Sequence, residues 1–209
     1  MKHRRFSNSP LLDPSVSLLV IVSSDRHELI AIDPGTYPVY ERTIAVMLKA
    51  AQIAKVPAFL LSPDVPEQEE SPSVAGSDTP SQRRFIFEEN TSPWSHKPFV
   101  ETLAAQDRSV LVLAGFWLEH EVLATALHAL VDGYDVYVLL DATPPRSRCA
   151  SEAARQRLGQ AGAMPVTASQ VINEWSFETP DASRRAALRS LFRFCLTSDR
   201  ANPDSIPGH

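Results

Sequence analysis

Apolar residues in this chain fall in short unbroken runs, separated by stretches where they recur every three or four positions. Ser17-Leu18-Leu19-Val20-Ile21-Val22 is too short for a typical helix and too uniformly apolar for a strand with one wet face. It predicts a strand buried on both sides, as in parallel sheets. Between Pro38 and Lys55, apolar residues at Val39, Ile44, Val46, Met47, Ala50, Ala51 and Ile53 keep helical spacing, with proline tolerated at the start. Val56 to Leu61 then reads as a second strand, so the three elements form a right-handed crossover within one sheet.

The alternation continues. Arg83 to Phe87 predicts a short strand, Pro98 to Ala105 a short helix, and Ser109 to Gly115 another fully buried strand ending in glycine. In Leu118 to Val131 the positions Val122, Leu123, Ala126, Leu127, Leu130 and Val131 give the clearest helical period of the chain, closed by Asp132-Gly133. Tyr134 to Leu140 predicts a strand, Ser147 to Gln160 a helix stopped at Gly162, Met164 to Thr167 a last short strand, and Arg184 to Leu196 a final amphipathic helix. From Ser62 to Ser81 the chain is Pro, Ser, Glu and Asp with little apolar content, which predicts a long exposed loop. The expected organisation is a flexible segment over 1–14, one domain over 15–197 with an exposed loop at 62–82, and a tail over 198–209.

Composition narrows the class without changing that picture. With 209 residues, 44% apolar and 22% charged, the chain suits one globular domain and excludes collagen, a disulfide scaffold and a wholly disordered polymer. A net charge of -5 gives no general attraction to phosphate backbones, so no nucleic-acid partner is expected. Cys149 and Cys195 lie far apart without metal-ligand spacing, which fits a reducing, cytoplasmic setting and predicts no metal site. No apolar run approaches the length of a membrane span, so no membrane partner is expected.

In an open parallel sheet, ligands bind beyond the carboxyl ends of the strands. The residues in question are 22–27, Ser62, 87–90, 116–121 and 141–143. Among them there is no Gly-x-Gly-x-x-Gly, P-loop or Gly-x-Ser-x-Gly sequence, and no cofactor is expected.

Ser109 to Trp175 resembles the isochorismatase-like cysteine hydrolases. The resemblance rests on Leu113-Ala114-Gly115, the helix Val122 to Leu130, the turn Asp132-Gly133-Tyr134, Val136-Tyr137-Val138 leading to Asp141-Ala142, the stretch Ala153 to Ala163, and Val171. Leu18 to Ile21, Arg42 to Ala51, Val56-Pro57 and Ser92-Pro93-Trp94 extend it over about residues 15 to 175. It implies a single Rossmann-like three-layer α/β domain, a mostly parallel sheet flanked by helices, often oligomeric. Members cleave amides or related C–N bonds, or the vinyl ether of isochorismate, with an Asp, a Lys and a Cys nucleophile. Here those positions fall on Val22, Glu88 and Glu121. Valine transfers no proton, and a carboxylate does not do the work of a thiolate, so the resemblance implies a family member without the inherited chemistry: a binding or structural subunit, homo-oligomeric or paired with a related chain, with a possible small-molecule ligand.

Several residues carry two readings. Glu119, His120 and Glu121 open a helix, where carboxylates suit the dipole; His120 and Glu121 could instead replace the lost set as acid and base on a small amide or vinyl ether. Phe116, Trp117 and Trp94 could line a pocket or fill core and interface volume. Asp25, Arg26, His27 and Glu28 read as a solvated loop or as ligands near the first strand, and Glu88 and Glu89 could join Glu121 in a carboxylate group at one mouth. Asp141 reads as a loop anchor, and Arg146, Arg148, Arg155 and Arg157 as a solvated basic face.

Overall fold

The computed structural model describes residues 9–23, 37–64, 82–88 and 91–200. Six strands, β1 (Ser17–Val22), β2 (Ala58–Asp64), β3 (Gln82–Glu88), β4 (Val110–Gly115), β5 (Asp135–Leu139) and β6 (Met164–Val166), form one sheet in the order β3-β2-β1-β4-β5-β6. Every pairing is parallel. The helices are α1 (Tyr37–Ala54), α2 (Lys97–Ala104), α3 (Leu123–Val131), α4 (Arg148–Ala161), α5 (Ala168–Glu178) and α6 (Ala182–Arg200).

Alternate residues of the central strands feed two cores. Leu19 and Ile21 of β1 and Val112 and Ala114 of β4 join Met47 of α1, Trp175 of α5 and Leu188 of α6 on one face. Leu18, Val20, Leu111 and Leu113 join Phe99 of α2, Val122, Ala126 of α3 and Leu158 of α4 on the other. That is why β1 and β4 are buried at every position: helices cover both sides, as parallel crossovers require. The α/β, three-layer, Rossmann-like expectation holds, with a wholly parallel sheet.

Four boundaries differ from the sequence reading. Leu12 is 2% exposed and its amide donates to Glu174 of α5 at 2.8 Å, so the chain is tied down from Ser9 onward rather than from residue 15; a buried leucine and the Ser9 bond to Glu178 hold it. Helix α6 runs to Arg200, past the expected start of the tail. Helix α5 was not foreseen. Its signal was present as a capping box, in which Thr167 and Gln170 exchange side-chain and backbone bonds, ahead of Val171, Ile172 and Trp175 at helical spacing. The long helix expected over Leu118 to Val131 begins as a separate wide turn, Leu118–Val122, with His120 at φ -111° and ψ -110°. There the Val122 amide reaches back to the Trp117 carbonyl, and the Leu118 amide is taken by Pro144 at 3.1 Å. The five-residue reach of the Val122 bond makes the turn wide, and the Pro144 carbonyl satisfies one of the N–H groups that any helix start leaves without a partner in the helix.

Two local devices fix the chain reversals that matter for the site. Lys55 ends α1 in the left-handed conformation, φ 60°, with the Val56 amide closing on Ala51 at 2.8 Å. The Asp141 carboxylate accepts the Ala168 amide at 2.9 and 3.0 Å, anchoring the exit of β5 to the start of α5, as its sequence position suggested.

Candidate functional site

The strand order reverses at β1, because the chain goes outward through β2 and β3 and then returns to the other side as β4. A crevice opens at such a switch point, beyond the carboxyl ends of β1 and β4. Val22 and Gly115 are the paired residues at that edge. Gly115 has φ +124°, a Cβ on it would lie 1.9 Å from the Val22 carbonyl oxygen, and the Phe116 amide donates to that same oxygen at 2.9 Å. Only glycine fits there.

Val22 is 0% exposed and packs in the core cluster that also holds Leu61, Phe87, Leu118 and Val122. The end of β1 is therefore hydrocarbon, with no proton carrier on the side chain. Glu88 ends β3 at the sheet's outer edge, exposed and paired in register with Asp64. Glu121 lies in the wide turn above α3. Its Oε2 has no exposed surface and no hydrogen-bond partner among the described residues. His120 is exposed, so the two neighbours in sequence do not form a buried acid and base pair.

Glu119 is engaged differently. Its Oε1 accepts the Arg146 amide at 2.8 Å, while its Oε2 is buried and without a partner. The Arg146 guanidinium lies 5.2 Å from the centre of the Trp117 ring, a cation–π arrangement. With the Leu118 to Pro144 bond, these contacts strap the segment 143–147 across the wide turn. Arg146 therefore has a packing role, unlike Arg148, which makes an exposed ion pair with Glu152.

The three aromatic residues singled out as a pocket are not brought together. Phe116 and Trp117, joined by a cis peptide, belong to the core on the α1 and α5 side of the sheet. Trp94 packs against the opposite core, where its Nε1 donates to Asp132 at 2.9 Å and its ring stacks on His128 at 6.4 Å. It pins the far end of α3. Asp25 to Glu28 and Glu89 lie outside the described residues.

Sequence reasoning passed over Thr125, one helical turn after Glu121. It is 0% exposed, and its Oγ1 has no partner among the described residues. A mid-helix threonine on an otherwise apolar stripe was the available signal. A buried polar atom left unpaired costs about 1–3 kcal/mol. On the other face of the sheet, burial raises the Tyr40 phenol above its ordinary value, with Arg155 opposing and Asp141 reinforcing the shift. Among the described residues, no group of three His, Cys, Asp or Glu side chains could hold a metal ion, and no helix is long and apolar enough to cross a membrane.

Comparison with known proteins places this geometry in a wider set. A model of the isochorismatase domain matches residues 36–170. A curated relative named Probable hydrolase YcaC, from Escherichia coli (strain K12), is 32% identical over 90 residues, which span 41% of this chain and 43% of the relative. The match thus covers less than half of that relative's length. A crystal structure of the YcaC gene product from Escherichia coli, described as an octameric hydrolase of unknown specificity, superposes with a TM-score of 0.72 at 22% identity, covering 94% of this chain and 99% of that one. YcaC from Pseudomonas aeruginosa gives 0.75 at 20% identity, covering 93% and 98%.

Proposed function

The chain belongs to the isochorismatase family, and on that premise we propose that it no longer performs cysteine-hydrolase chemistry and acts as a cytoplasmic binding or structural subunit. Val22 carries the reading. Family chemistry of this kind needs a thiolate to attack and a neighbouring acid to move its proton; the end of β1 offers a buried isopropyl group, and the first turn after β4 offers Glu121. A carboxylate there is a poor nucleophile toward an amide, and Glu88, exposed at the sheet edge, brings no ammonium group. The cysteine nearest in the fold's order, Cys149, is exposed on the first turn of α4.

Self-association is part of the proposal. The octameric relative supports it, as do Ile86 on edge strand β3 and Phe177 on α5, which are 61% and 54% exposed. A single large apolar side chain in water is ordinary, but two on outer elements suit contacts between copies. Light scattering of the purified chain checks it, and a monomer at micromolar concentration removes this part.

One observation favours a second reading. The buried, unpartnered Oε2 of Glu121 is where a proton donor to a small amide or vinyl ether would sit, with His120 as an outer exchange group. Hydrolysis of a panel of small amides, ureides and isochorismate, followed by direct product detection beside Glu121→Ala, separates the two. We expect no turnover in either protein; turnover that disappears in Glu121→Ala establishes the acid reading instead.

A further inference from the structure

Strand β3 stands at one edge of the sheet, where among the described residues only β2 pairs with it. It runs for seven residues in unbroken register with β2, from Gln82 beside Ala58 to Glu88 beside Asp64, without a bulge. A long regular edge offers its backbone N–H and C=O groups to another strand, and proteins blunt such edges with bulges, prolines or charges. β3 carries charges, so their arrangement decides whether the edge repels a second copy or attracts it.

Side chains alternate between the two faces of a strand. Phe85 and Phe87 turn to the α2 side, where Phe87 is buried and the Phe85 ring lies 5.6 Å from that of Phe99. Arg84, Ile86 and Glu88 share the opposite face and are all exposed, Ile86 by 61%. Along that face the strand reads cation, hydrocarbon, anion, with Ile86 at the centre. Glu88 lies next to Asp64 in the β2–β3 register, so two neighbouring carboxylates mark the anionic end.

Two copies of one strand that pair antiparallel about a twofold axis keep each side chain on its own face of the joined sheet. The axis must then pass through a residue position, because opposed residues share a face. Centred on Arg84, the pairing opposes two guanidinium groups. Centred on Phe85, it opposes Arg84 to Ile86 and Glu88 to Gln82; centred on Phe87, it opposes Ile86 to Glu88. Centred on Ile86, it opposes Ile86 to its own copy and each Arg84 to the other copy's Glu88, with Phe85 against Phe87 on the second face. Only this register matches both charges with their opposites and the exposed hydrocarbon with hydrocarbon.

We propose that β3 is the contact between two copies of this chain, paired antiparallel about a twofold axis at Ile86 so that two sheets become one. The contact rests on the self-association proposed above and gives it a surface and a register. The test is size-exclusion chromatography with light scattering of the whole chain, at a concentration where wild type is assembled. Arg84→Glu and Glu88→Arg each oppose like charges at both ends of the pair, and each lowers the mass at least about twofold. The double variant Arg84→Glu/Glu88→Arg exchanges the signs, keeps the pairing and restores the wild-type mass. Ile86→Lys sets two ammonium groups at the axis, and the mass falls in either charge background.

Circular dichroism reads the fold of each variant separately from its mass. Wild-type mass in both single reversals, or a folded double variant no larger than the single ones, overturns the β3 contact and leaves self-association standing. A wild-type chain that is monomeric at micromolar concentration removes self-association itself, and the β3 contact with it.

Discussion

Gly115 faces Val22 across the β1–β4 ladder, so close that a Cβ on Gly115 would lie 1.9 Å from the Val22 carbonyl oxygen. The same oxygen accepts the Phe116 amide at 2.9 Å, so the approach holds the chain to β1 as it leaves β4. Gly115→Ala is expected to lose about 3 kcal/mol or more, from a left-handed backbone forced on alanine and a collision with backbone rather than a movable side chain. Urea unfolding measures it, and a loss below 1 kcal/mol would mean that the strand ends part easily.

The hydrocarbon end of β1 makes a second prediction about chemistry. On the proposed reading, Glu121→Cys puts a thiol back at the nucleophile position, but Val22 at the end of β1 supplies no carboxylate. The variant is expected to show no turnover on small amides and an alkylation rate typical of an ordinary cysteine at neutral pH. A fast-reacting thiol or measurable hydrolysis would show that another group has taken over the proton.

The strap over the wide turn is testable through fluorescence. Arg146→Ala removes the guanidinium from the Trp117 ring while leaving the backbone bond to Glu119. We expect a loss of about 0.5–1 kcal/mol and greater acrylamide quenching, with Trp117 changing and Trp94 and Trp175 serving as internal background. Unchanged quenching would mean that the strap contributes no cover.

Lys55 holds a left-handed conformation at the end of α1, where glycine carries no side-chain penalty. Lys55→Gly is therefore expected to stabilise the protein by about 1 kcal/mol, read from the shift of the urea midpoint at constant slope. Destabilisation would show that the lysine side chain makes contacts worth more than the strain.

At the start of α6, the Arg184 amide donates to Asp181 Oδ1 at 2.8 Å, and that bond, with the Arg184 charge, holds the Asp181 carboxyl below its ordinary value of 3.8. A lowered folded-state value favours the ionised form, so its contribution is complete above 3.8 and fades as pH falls through the lowered value. Melting temperatures of wild type and Asp181→Asn should therefore differ by a constant amount near neutrality and converge in acid. A difference that is unchanged at pH values below 3.8 would remove the capping role.

Much of this was legible in the order of residues. The unbroken apolar runs of β1 and β4 had to be buried twice over, and the helical spacing between them required crossovers, so a parallel sheet with helices on both faces followed from hydrophobic period alone. The same order fixed which residues end β1 and β3 and which follows β4, because strand ends are local events marked by Gly115 and by the change from apolar to charged residues. The proposal that Glu121 stands in place of a thiol and Val22 in place of a carboxylate was likewise made without coordinates.

Other features depended on groups distant in sequence. Phe116 and Trp117 seemed to share a mouth with Trp94, yet the cis-linked pair turns to one face of the sheet and Trp94 to the other, a choice made by packing. The wide turn is joined to a distant segment, because Pro144, twenty-six positions from Leu118 in the chain, accepts the Leu118 amide. Arg146 is exposed, as a solvated basic face requires, and its guanidinium also lies 5.2 Å from the centre of the Trp117 ring, a contact that sequence order does not show. The different surroundings of two sequence neighbours, His120 exposed and Glu121 Oε2 buried, were likewise set in three dimensions. Hydrophobic period is a property of neighbours in sequence; burial without a partner is a property of everything that surrounds an atom, and only the folded chain assembles it.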